Sequence, residues 1–213
     1  MAFKCIYFIV NECFLLIQCE QKALRLHIHL LWGLGSLKDI PKLPEQTVLT
    51  QFQQHFLTET SLTEARQPII PVSLVQVTST KSGRIGTQLG LIEENIKSYI
   101  QGCLARFGMT SWCPDLRETA HSLYNSACQI IALNTFKQAL VSHAYAGVQP
   151  KLDYVKDMQL LIKIYDHIVH QFFHSRWRRE LQRPGSVAAA DEASPAYRSR
   201  TRVSVVYRSP SPR

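Results

Sequence analysis

CPDLRETAHSLYNSACQIIALNTFKQALVSHAYAGVQP, residues Cys113–Pro150, carries the strongest periodic signal in this 213-residue chain. Leu116, Ala120, Leu123, Tyr124, Ala127, Ile130, Ile131, Phe136, Ala139 and Leu140 recur at spacings of three and four, the period of an α-helix. Pro114 and Asp115 suit its first turn, Gly147 its stop, and Pro150 a point past which it cannot run. A second helix is expected from about Leu152 to Leu181, ended by Pro184-Gly185. Joined by the short break GVQP, the two most simply form an antiparallel hairpin.

Toward the amino terminus the pattern changes. ALRLHIHLLW (residues 23–32) sets Leu24, Leu26, Ile28 and Leu30 against Arg25, His27 and His29, a period of two that predicts a half-buried strand. Residues 46–57 read as a short amphipathic helix carrying Val48, Leu49, Phe52 and Phe56 on one side. PVSLVQVTST (residues 71–80) reads as a second strand, placed at an edge by Pro68 and Pro71. The glycine-rich stretch KSGRIGTQLG follows, then a helical pattern from Leu89 to Phe107. Strand, glycines and helix are the setting of a phosphate cradle, but the spacing matches neither known glycine motif, so the glycines are read as turn residues.

Residues 3–19, FKCIYFIVNECFLLIQC, have the lysine and apolar run of a signal peptide. Asn11 and Glu12 interrupt that run, and each apolar piece is shorter than the roughly 20 residues a membrane helix needs. A buried strand at Cys5–Val10 is the preferred reading, with a membrane anchor or secretory signal as the alternative. The fold class is therefore mainly α, with α+β as its variant. An N-terminal segment, 1–110, packs with the helical hairpin, 111–183, as one domain, and a disordered basic tail, 184–213, follows.

Charge is unevenly spread. The whole chain carries +8, and between His174 and Arg213 nine arginines less three acidic residues leave +6. A basic end on a near-neutral body points to a polyanionic or acidic partner. The bland alternative is a solubilising tail. Within it, YRSRTRVSVVYRSPSPR resembles the serine-arginine-rich segments of nuclear, RNA-associated proteins, a likeness confined to the tail. With the cysteine reading below, this points to a nuclear or cytoplasmic protein; Ser209 and Ser211, each before a proline, are expected phosphorylation sites that would blunt the charge. No two of the six cysteines form C-x-x-C, so neither disulfides nor zinc are indicated, and Cys128 is read as a reduced, buried thiol.

DHIVHQFFHSRWRR, residues 166–179, concentrates the candidate site. On a helix advancing about 100° per residue, His167, His170 and His174 share a face. The apolar Leu161, Ile162, Tyr165, Ile168, Val169, Phe172 and Phe173 centre on the other side. Lys156, Lys163 and Arg178 extend the histidine strip, and Arg176, Arg179 and Arg183 with the tail's Arg198, Arg200 and Arg202 complete the anion-binding set. Neutralising about four phosphates predicts a log-log salt slope of about −3.6 on duplex DNA. Trp177 and Tyr197 are candidates to stack on unpaired bases.

Two alternatives compete with this non-enzymatic interaction module. One is a zinc-binding protein or hydrolase using His167, His170 and His174. His170 and His174 have ligand spacing, but the H-E-x-x-H glutamate is absent. The other is a domain docking through the hairpin's apolar surface. No catalytic motif is present: Asp166 and His167 are adjacent and diverge on a helix, and Cys113 with His121 lacks any oxyanion-hole signature.

Overall fold

A computed structural model describes residues 21–36, 39–77, 83–148 and 157–190, and the regular structure among them is helical throughout. In order these are α1 (residues 21–32), α2 (Gln46–His55), α3 (Glu59–Glu64), α4 (Gly83–Gly90), α5 (Glu94–Arg106), α6 (Leu123–Val141), α7 (Met158–Asp166) and α8 (His174–Gln182). Between α7 and α8 the helix continues through a widened π-helical segment, His167–Phe173.

α6 is the axis of the fold. Its buried residues, among them Tyr124, Ala127, Cys128, Leu133, Phe136 and Leu140, point in every direction because α2, α3, α5 and α7 all pack on it. The expected hairpin is present: α6 and the α7–α8 helix pack together, and Gln129 Nε2 donates to Asp166 Oδ1 at 3.1 Å. The helix starts later than its periodicity suggested. Ser122 caps it by accepting the Asn125 N–H at 3.3 Å. The Asn125 side chain accepts from Asp115 N–H at 2.9 Å and donates to the Asp115 and Thr119 carbonyls at 3.0 and 2.8 Å. That bonding holds residues 115–119 as a loop, with Arg117 forked onto Asp115.

The helix also stops earlier than Gly147. His143 adopts φ 55°, and the His143 and Ala144 amides turn back to the Leu140 and Ala139 carbonyls at 3.0 and 2.9 Å. This is the left-handed closure that glycine usually supplies. Gly33 and Gly108, at φ 67° and 68°, end α1 and α5 with the same pair of bonds.

The strand expected at residues 24–30 is instead part of α1. Its alternation was an accident of composition, because His27 and His29 are as buried as the leucines beside them. Buried polar residues carry no surface information once partnered, and a helix apolar on most sides belongs in an interior. His27 bonds Thr135 and Tyr145, and His29 Nδ1 bonds the Leu34 carbonyl at 3.3 Å. The second expected strand is also absent: Val72–Leu74 form a 3₁₀ turn, residues 75–77 take no regular form, and 78–80 lie outside the described residues. This segment is tied to α5 by Ile69 N–H to Ala105 O and Gln101 Nε2 to Val75 O. The pattern from Leu89 to Phe107 divides into α4 and α5, and Gly86 and Gly90 lie within α4 rather than in a loop. The strand assigned to Cys5–Val10, and the whole of 3–19, fall outside the described residues.

One continuous apolar core runs from Ala23 to Phe173. At its edge the partly buried Trp32 meets the buried Trp112 and Phe173 edge-on at 4.9 and 5.2 Å, and Trp112 Nε1 donates to the Cys128 carbonyl at 2.9 Å. The first residues assigned to the disordered tail are ordered. Residues 184–190 make a turn and a short helical segment with Val187 buried, because the Glu180 carboxylate accepts the Gly185 and Val187 amides. Residues 191–213 lie outside the described residues.

Candidate polyanion-binding face

The long helix of α7, the π segment and α8 presents Lys163, His167, Arg178, Arg179 and, just past its end, Arg183 as exposed side chains. Glu180 is the one acidic residue of α8, and it is engaged with the turn that follows. Among the described residues the ion pairs join Lys97 to Glu94 at 3.0 Å and Arg117 to Asp115 at 2.8 Å, so neither touches this face. Three guanidinium groups therefore project within six positions with no carboxylate bridging them.

The structure does not keep the three histidines together. In a π-helical segment each residue advances less around the axis than in an α-helix, because a turn holds an extra residue. His170 consequently swings off the line of His167. His167 stays exposed with Nδ1 2.9 Å from Gln171 Oε1. His170 turns toward the core against Tyr165, its Nε2 buried without a partner. Burial, then the neighbouring His174 and His121, pull its pKa down to about 4. His174 lies against the Trp177 ring at 5.9 Å.

Among the described residues no three histidine, cysteine or acidic side chains converge as a metal site, so the zinc alternative lacks its geometry. The thiol chemistry is no better placed. Cys113 donates to the Lys42 carbonyl, and burial pushes its thiol up to about 12. Cys103 and Cys128 are free and buried, as expected for Cys128.

Arg176 does not join the exposed set. It is 5% exposed and turns inward, its guanidinium 5.7 Å from the Phe172 ring centre. Arg25 of α1 approaches the same ring at 4.4 Å. Both are close enough for cation–π attraction. The Arg25 contact ties α1 to the π segment, a role that no spacing in the sequence announced. Lys156, Arg198, Arg200 and Arg202 lie outside the described residues, as does Tyr197. Trp177 is half-buried against the core, which leaves part of its ring accessible.

No family model, curated protein or solved structure matches this chain. No described helix is long and apolar enough to cross a membrane.

Proposed function

We propose that the chain is a non-enzymatic interaction module of the nucleus or cytoplasm that binds a polyanion, with nucleic acid as the first partner class, through the end of its C-terminal helix. The observation that carries this reading is the exposed trio Arg178, Arg179 and Arg183, beside which the one acidic residue of α8, Glu180, is bonded to backbone amides. Guanidinium groups suit phosphate because their planar forks match its oxygens, and a cluster attracts a polyanion at long range. Lys163 and His167 extend the surface along the helix, and the basic sequence beyond residue 190 adds charge of the same sign. His170, turned toward the core with Nε2 buried, is left out of the proposed surface.

Labelled single-stranded RNA and duplex DNA, titrated over a salt series, test this reading. Replacing Arg178, Arg179 and Arg183 by alanine is expected to flatten the duplex log-log salt slope by about 2.7. Binding to polyglutamate but to neither nucleic acid would move the reading to an acidic protein. No binding to any of the three at low salt would end it.

A further inference from the structure

A second site lies away from the basic helix end. α5 and α6 pack side by side, and residues at helical spacing on each line a cleft of about 520 Å³ to which α3 also contributes. α5 contributes Tyr99, Cys103 and Arg106, and α6 contributes Ile130, Asn134, Lys137 and Val141. The volume falls within the range of small-molecule pockets. The lining is two-sided in chemistry. Leu62, Phe107 and Ile130 give it an apolar floor, whereas its ionised side chains are both cations, Arg106 and Lys137, with no acidic residue among the lining. Neither cation takes part in an ion pair among the described residues. Burial pushes the Tyr99 phenol and Cys103 thiol up, so both stay uncharged at neutral pH and add no repulsion toward an anion.

We propose that this cleft binds a free amphiphilic organic anion, its carboxylate or phosphate head between Arg106 and Lys137 and its apolar body over Leu62, Phe107 and Ile130. A purely apolar ligand would leave two cations to be desolvated without a partner, and an organic cation would be repelled. Asn134 and Gln138, both exposed at the rim, supply further donors to the head. The site shares no residue with the polyanion face, so either assignment can fail alone.

The test is calorimetric titration of the full chain with decanoate below its micelle concentration, and with decyltrimethylammonium as the charge-reversed probe. Saturable one-to-one binding of decanoate alone is expected. Arg106→Gln with Lys137→Gln is expected to weaken it by about tenfold or more. Val141→Glu, at a rim position 65% exposed, is expected to weaken it as well, and this variant decides the matter if the double variant does not fold. Failure of decanoate to saturate, equal binding of the two probes, or unchanged affinity in Val141→Glu would overturn the proposal. So would binding to phosphatidylglycerol vesicles without binding to soluble decanoate.

Discussion

His27 Nε2 and Thr135 Oγ1 meet at 2.8 Å across 108 positions of chain, and this bond sets the tautomer of the buried ring. The Thr135 hydroxyl donates onward to the Ile131 carbonyl at 2.7 Å, so it accepts the imidazole N–H. Nδ1 is then left to accept the Tyr145 hydroxyl at 2.6 Å. Every member is satisfied while the ring is neutral. A second ring proton would face a hydroxyl already donating toward it.

Acid is therefore expected to unfold the protein well above the carboxylate range. Burial holds His27 down from 6.5 to about 3. Above the unfolded value neither state binds the proton. As pH falls from 6.5 toward 3, the unfolded chain gains a proton that the folded chain refuses, and stability drops by about 1.4 kcal/mol per pH unit for this group. His29, lowered to about 4 chiefly by burial, acts in the same direction. Urea midpoints at about pH 7 and about pH 5 are the measurement. A midpoint that does not fall between them would remove the network from this role.

His143→Gly is expected to stabilise the fold. The residue is exposed and held at φ 55°, a conformation that costs a side chain about 1 kcal/mol or more and glycine very little. A net gain of about 0.5–1 kcal/mol should appear in chemical denaturation, reduced by the extra freedom of glycine in the unfolded chain. Gly108→Ala is the mirror experiment. Its added methyl meets only Ile69 at an ordinary 3.7 Å, so the expected loss of about 1 kcal/mol would be backbone strain alone.

Asn125→Ala should cost about 2–4 kcal/mol, because it strands the buried Asp115 amide and frees two carbonyls. Asn125→Asp keeps an acceptor for that amide but donates to neither carbonyl, so it is expected to be destabilising too. Thermal melts of the two variants check this. Wild-type stability in both would mean that the 115–119 loop is held by other contacts.

Glu180→Gln separates charge from structure at the helix end. The amide oxygen can still accept from the Gly185 or Val187 N–H, while the arginines lose their nearest negative neighbour. Polyanion affinity at low salt is expected to rise by about two- to fivefold, and the gain should vanish at high salt. An unchanged affinity would indicate that the ligand lies elsewhere.

The helical hairpin was legible because α6 and α7 carry enough apolar residues at three-four spacing to outweigh local noise. The error at α1 has a physical source. The period of two holds only if histidine is a surface residue, whereas His27 and His29 find buried partners more than a hundred positions away or at the helix end. Such partners leave no local trace. The π-helical segment was invisible for a similar reason: a wheel drawn at constant pitch cannot register a widened turn, and one such turn separates His170 from His167. Arg178, Arg179 and Arg183 are exposed, whereas Arg176 of the same run turns inward beside Phe172, a difference that the run of basic residues does not announce. The α5–α6 cleft joins residues from three helices, and no single stretch contains its chemistry.

Phe172, flanked by guanidinium groups from α1 and from its own helix, also bears on how a ligand would be met. That contact holds the helix carrying Arg178 and Arg179 against α1 before any encounter. Helix backbone already in place is backbone that association need not order, which lowers the entropic penalty of complex formation.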